Sequence, residues 1–281
     1  MVRDRSIYSS WIMIGTILVL IMISYTGLLN TKFDFSARWL PVLSQGNILG
    51  TDGSGRDMLA VLIVSMRNNI ILGMMAALVS LVSGATFGIL LGYIFHEGPL
   101  KRALVFFARM VKSVPLLMWI FLVVFWLELL DQSISLFNSE MIKMLWIFAI
   151  FGGIYSFNLA LLLMGHIQKL KASQFIEACE FIGLKKTTII FKHIIWHHSK
   201  SLFGSQASYI FAQCVLLELT LSYNAIGYGY SSNNLSIGRL FDRAVLERPM
   251  SEHMFMPLIA ALLLTLTFSY LSQNFEKRFQ K

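Results

Sequence analysis

The run NNIILGMMAALVSLVSGATFGILLGYIFH, residues 68–96, contains no Asp, Glu, Lys or Arg in 29 positions. A helix on the surface of a soluble domain needs a polar face, and this run offers none. It exceeds the roughly 20 apolar residues with which an α-helix crosses a bilayer. In lipid every backbone N–H and C=O must be satisfied within the segment, so a helix is the form such a run takes. Working outward, uncharged runs recur at Ser6–Thr31, Ser113–Leu127, Met144–Gln168, Ser201–Leu217 and His253–Phe275. Two of these are short. Ser113–Leu127 reaches spanning length only if it begins near Phe106 and lets Arg109 and Lys112 snorkel to the interface. Ser201–Leu217 does so only by continuing past Glu218 to about Tyr223. The expectation is an all-α membrane protein of about six transmembrane helices. Residues 1–67 would hold the first helix and an outer segment, 68–275 the transmembrane domain, and 276–281 a cytoplasmic tail.

Composition agrees. Of 281 residues 56% are apolar and 14% charged, and the mean hydropathy is +0.68. A soluble domain of this length needs more polar surface to cover its core. With 22 Phe and five Pro, a disordered chain is excluded as well. Arg3 and Arg5 before the first run could open a secretory signal peptide. The run is long, however, and no small-residue cleavage pattern follows Leu29, so an uncleaved crossing is expected. With the N-terminus inside, 15 Lys and Arg fall on inner segments and 8 on outer ones. The positive-inside rule then places both termini in the cytoplasm. The net charge of +8 therefore reflects topology and an anionic inner leaflet, and nucleic acid is not needed to explain it. Cys179 and Cys214 fall in different compartments, so no disulfide is expected.

One inner segment, His166 to Lys200, is too long for a simple turn and carries its own helical pattern. Phe175, Ala178, Cys179 and Ile182 form a stripe at three-and-four spacing, with Ser173 as the expected N-cap and Glu177 near the positive helix end. Gly183 follows where a left-handed terminus is easiest, and a second stretch from Thr187 to about Trp196 repeats Ile190, Phe191 and Ile194. Such a helix–glycine–helix element is either a hairpin resting on lipid headgroups or a docking knob for a cytosolic partner.

Three blocks, in order, then carry a family resemblance. Glu177-Ala178-Cys179-Glu180-Phe181-Ile182-Gly183, followed by Ile189-Ile190-Phe191-Lys192-His193-Ile194, resembles the "EAA" loop of binding-protein-dependent ABC importer permeases of the dipeptide, oligopeptide and nickel branch. Gly50-Thr51-Asp52 and Gly55-Arg56-Asp57, with Leu59, Leu62 and Arg67, resemble that branch's outer block. Leu217-Glu218 through Leu221-Ser222, then Gly227 and Gly229, resemble the end of its fifth helix. This sequence departs from the family at Cys179, where Ala is usual, at Ile195-Trp196, where Leu-Pro is usual, and at Tyr230–Asn234, where relatives are proline-rich.

The resemblance implies an EAA loop over about 169–200, between helices 4 and 5, that couples to ATPases through Glu177, Ala178, Cys179, Gly183, Phe191 and His193. It implies a homologous permease subunit, two cytosolic ATP-binding subunits and an extracytoplasmic substrate-binding protein as partners, in a bacterial cell membrane. Peptide is the first choice of substrate, with nickel or a metal chelate as the alternative and an ion-coupled secondary transporter as the reading from another class. The chain lacks a G-x-x-x-x-G-K phosphate loop, so ATP would be hydrolysed by partner subunits and no cofactor bound here. No catalytic arrangement is visible, and the protein is not expected to be an enzyme. His193, His197 and His198 lie close enough to hold a metal, but no carboxylate or thiol completes the set, so a solvated cluster is expected. Asp52, Gly55, Arg56 and Asp57 read as a self-satisfied polar turn opening the second helix, or as a contact for the binding protein. Glu218, clearly within a crossing, is expected to face a structural partner, with substrate contact as the alternative.

Overall fold

The computed structural model describes residues 31–44, 46–95, 97–134, 139–172, 174–224 and 235–279, with positions 12, 15, 16, 19 and 22–26 before them. Most of the first apolar run, Ser173, the Tyr230–Asn234 loop, Gly227 and Gly229 lie outside the described residues. Every regular element among the described residues is helical, and the extended pairings are the isolated bridges Ser44–Asn47 and Thr51–Asp57. The helices are α1 (Met58–Ile89, extended by a π-helical turn Leu90–Ile94), α2 (Pro99–Ser113), α3 (Leu116–Ile134) and α4 (Glu140–Ala172). Next come α5 (Phe175–Phe181), α6 (Lys186–Thr188, continued by the π-helical Ile189–His198), α7 (Lys200–Tyr223), α8 (Ile237–Glu247) and α9 (Glu252–Phe279).

Four stretches are long and apolar enough to span a membrane, namely Met58–Ile94, Glu140–Ala172, Lys200–Tyr223 and Glu252–Lys277. A fifth crossing requires α2 and α3 to be taken together, and they meet at 91°. The expected third crossing, with Arg109 and Lys112 snorkelling from its own end, is therefore corrected. Both residues belong to a separate helix. The cause is Pro115: it lacks an N–H and forces the residue before it out of the helical region, and Val114 is extended (φ −78°, ψ 132°). The carbonyl of Val111, deprived of its donor at position 115, accepts instead from the indole Nε1 of Trp119 at 3.2 Å. The second crossing also begins ten residues before Asn68, because Asp57 caps α1 by accepting from the Leu59 N–H at 3.0 Å.

Contacts divide the chain into two units. One comprises Met1–Met74, Leu136–Leu145 and Phe211–Leu271. Its apolar interior joins Met58, Val61 and Leu62 of α1 to Leu235 and Leu240, and Ile70 to Val215, Ile237, Leu264 and Phe268. The other comprises Met75–Ser135, Trp146–Ile210 and Ser272–Lys281, with an interior of Leu159, Leu163, Ile167, Ile176, Cys179, Ile189, Ile194 and Leu202. There Gly84, Gly88 and Gly92 recur every four residues along one row of α1 and its π turn. A Cβ at each would come within about 3 Å of Leu159, Leu163 or Ile167 of α4. Association in lipid relies on such close backbone approach, since lipid tails remove the hydrophobic drive between helices.

Candidate functional site

Residues 174–199 fold as a compact appendage after α4. Gln174 enters it in the left-handed conformation (φ 60°) and supplies no side-chain cap to α5. At the other end Gly183 has φ +81°, with its N–H donating to Glu180 O at 2.9 Å and the Leu184 N–H to Cys179 O at 3.2 Å. That pair of bonds is a Schellman turn, and it gives the expected glycine its physical reason.

The buried stripe of α5 differs from the expected one. Ile176 and Cys179 face the interior at 3% and 7% exposure, whereas Ala178 and Glu177 are exposed and Ile182 is 79% exposed. The side chain of Phe175 is not described. In the second stretch Ile189, Ile194 and Ser199 are fully buried, while Ile190 is half-buried and Phe191 exposed. Their spacing of five fits the π-helical segment Ile189–His198, in which bonds run from i to i+5. An α-helical period of 3.6 selects the wrong partners there. What remains outward is a set of large apolar side chains: Phe181 at 95%, Ile182, Phe191 and Trp196.

The appendage is tied down by polar contacts that sequence reasoning missed. The Tyr93 hydroxyl donates to Glu180 Oε1 at 2.9 Å, and Lys171 Nζ donates to Tyr93 O at 3.2 Å while lying over its ring. No local pattern announces a pairing across 87 residues. The His193 and His197 rings lie 5.9 Å apart, and no group of three metal-ligating side chains exists among the described residues.

The 50–57 turn is self-satisfied. Asp52 accepts from the Ser54 and Arg56 N–H groups, both at 2.9 Å, and pairs with the Arg56 guanidinium at 2.6 and 2.8 Å. Both side chains are buried. Gly55 (φ +74°) passes so close to the chain at Asp34 that a Cβ would lie 1.6 Å from its carbonyl oxygen. Ser54 Oγ accepts from Arg243 of α8 at 2.6 Å, and Trp39 Nε1 donates to Glu247 at 2.9 Å. The amphipathic helix α8, absent from the sequence reading, is thus clamped to this turn; Ser236, accepting from the Arg239 N–H at 3.1 Å, was a legible cap for it.

Glu218 is fully buried and fully engaged. Ser222 Oγ donates to Oε1 at 2.6 Å, while Asn69 Nδ2 and the Gly238 N–H donate to Oε2 at 3.3 and 3.1 Å. Gly238 lies in the first turn of α8, where N–H groups have no intrahelical partner, so the carboxylate acts as an anion held at a helix N-terminus. A Cβ at Gly238 would come within 3 Å of Ser222 and of the α7 backbone, so the approach depends on glycine.

Comparisons with known proteins concur with this architecture. An oligopeptide transport system permease protein of Haemophilus influenzae is 27% identical over 228 residues, covering 80% of this chain and 68% of that protein. One from Lactococcus lactis subsp. cremoris is 26% identical over 215 residues, 76% and 67% of the two chains. A glutathione transport system permease protein of Pectobacterium atrosepticum is 25% identical over 232 residues, 82% and 71%. The family described as binding-protein-dependent transport system inner membrane component matches residues 84–281. With its apolar helices and most of its length within that match, the chain belongs to the family of binding-protein-dependent transport system inner membrane components.

Proposed function

We propose that this protein is the peptide-importing permease subunit of an ATP-driven importer, set in a bacterial cell membrane with both termini in the cytoplasm. A second permease subunit completes the pathway, two cytosolic ATPases drive it, and an external binding protein delivers the substrate. Peptide is preferred to nickel because the relatives compared above are named for oligopeptide and glutathione. Membership of the family sets aside the ion-coupled alternative.

The observation that carries the coupling role is the outward face of 174–199. Phe181, Ile182, Phe191 and Trp196 leave large apolar area uncovered by the rest of the chain on a segment rich in lysine, and such a patch asks for a partner. Its reverse side is locked by Ile176, Cys179, Ile189 and Ile194 and by the Tyr93–Glu180 hydrogen bond. A push on α5 therefore passes to the ends of α1 and α4 as a rigid movement. Glu177 and Ala178 lie on the exposed face, Gly183 sets the angle between the two arms, and His193 is half-buried within the second arm.

Phe181→Asp tests this reading. The residue is 95% exposed, so the change leaves the fold intact. It is expected to weaken copurification of the ATPases by about 2 kcal/mol, the cost of losing an anchoring side chain, and to abolish ATP-dependent peptide uptake in proteoliposomes. Normal uptake by this variant would remove the coupling role from this face.

A further inference from the structure

α2 is a basic amphipathic helix at right angles to α3. A short basic amphipathic helix bent 91° from the apolar helix that follows it suits the membrane–water interface. Leu100, Leu104, Phe107 and Met110 are exposed on one side of it, and Phe107 also meets the ring of Phe157 edge-on. On another side Lys101, Arg102 and Arg109 enter a cleft of about 300 Å³, closed from α4 by Met164 and Gln168. Phe106, 70% exposed, stands at the cleft's rim.

The charges in the cleft are not balanced. Lys101 is buried and bonded to Glu97 at 2.6 Å, and Lys101 comes first among the causes that hold the Glu97 carboxyl below its usual range. Arg102 and Arg109 stand two turns apart on one exposed face, and the carboxylate in the cleft, Glu97, is already bonded to Lys101, with Arg102 only a lesser contributor to its lowered pKa. Three cations against one carboxylate in the cleft, beside exposed apolar side chains of an amphipathic helix, match a ligand with an anionic head and hydrocarbon tails. A guanidinium fork suits phosphate better than an ammonium does.

We propose that this cleft seats the phosphate of an anionic phospholipid, with Arg102 and Arg109 as its ligands and the acyl chains running along Phe106, Phe107 and Met110. Lys101 and Glu97 hold the cleft's floor in place. The lipid would fix α2 at the membrane–water interface, and with it the start of α3. The proposal rests on the chain's embedding in a membrane and not on which substrate it carries.

The test uses the purified full chain in a neutral detergent, titrated with short-chain phosphatidylglycerol, with phosphatidylcholine of the same chains, and with inorganic phosphate. Thermal unfolding and native mass spectrometry are the readouts. Phosphatidylglycerol is expected to raise the unfolding temperature and to be retained in the gas phase, while the other two probes do neither. Arg102→Gln with Arg109→Gln is expected to weaken apparent affinity about thirtyfold, roughly fivefold for each basic residue near a lipid surface, and to lose one retained lipid. Lys277→Gln, an exposed basic residue elsewhere, is expected to change neither. Equal stabilisation by phosphatidylcholine would overturn the proposal by showing that the tails alone bind. A matching shift from inorganic phosphate would overturn it in favour of a soluble anion, and an unchanged affinity in the double variant would remove the two arginines from the site.

Discussion

A carboxylate with no exposed surface costs several kcal/mol unless its lone pairs are filled, and at Glu218 they are filled by Asn69, Ser222 and Gly238. Glu218→Gln removes the charge, keeps one oxygen for Asn69 and Gly238, and forces Ser222 Oγ from donor to acceptor of the amide N–H₂. The expected loss is about 1–3 kcal/mol in thermal or denaturant unfolding of the purified chain, with the substrate preference of surviving complexes unchanged. A changed preference at full stability would mean that the side chain meets substrate instead. Two glycines of the same backbone class separate strain from collision. Both Gly55 and Gly183 have positive φ, but a Cβ at Gly55 would strike Asp34 O at 1.6 Å while one at Gly183 meets nothing within 4 Å. Gly183→Ala should therefore cost about 1 kcal/mol, the left-handed penalty alone. Gly55→Ala should cost about 4 kcal/mol or more and unseat α8, because the clash is with backbone that cannot rotate away. Similar losses for the two variants, measured side by side, would contradict this division.

Elements depart from their simple periods where a bond has to be replaced. At Val114–Pro115 the lost ladder bond is supplied by Trp119, from the far side of the bend. Trp119→Phe keeps the ring's bulk and removes the donor, so the carbonyl of the buried Val111 is left unpaired. A fall of about 1–3 kcal/mol in stability is expected, and an isosteric replacement that retains an indole N–H should restore it. The residues Pro115 and Trp119 were both visible in the sequence, but their four-residue spacing acquires meaning only once the chain is seen to bend between them. The π-helical stretch makes the same point. Ile189, Ile194 and Ser199 line up only if the turn widens, and widening is a choice made by packing against Leu163 and Ile167. The caps at Asp57 and Ser236, by contrast, are local chemistry, and both could be read from residue type alone.

At the scale of the whole molecule, the distribution of basic residues predicts which ends of the helices share a compartment. Cysteine placed at Ser139 is expected to react with an impermeant thiol reagent applied from outside, and cysteine at Lys186 only after permeabilisation. Native Cys179 and Cys214 are buried and give a low background. The reverse pattern would turn the 174–199 appendage away from any cytosolic partner. That the chain is a helical membrane protein follows from runs such as 68–96 without any structure, because hydropathy and backbone satisfaction are properties of a segment by itself. The kinship with importer permeases was equally local, carried by short blocks at 50–57, 177–183 and 217–222. What Glu218 and Glu180 bind could not be read that way, since their partners Asn69 and Tyr93 lie 149 and 87 residues distant. Likewise only the tertiary structure decided that Ile176 and Cys179 turn inward while Phe181 and Ile182 are left exposed. A side chain's partner is fixed by which backbones approach closely enough, and that depends on glycine rows, bends and caps acting together across the fold.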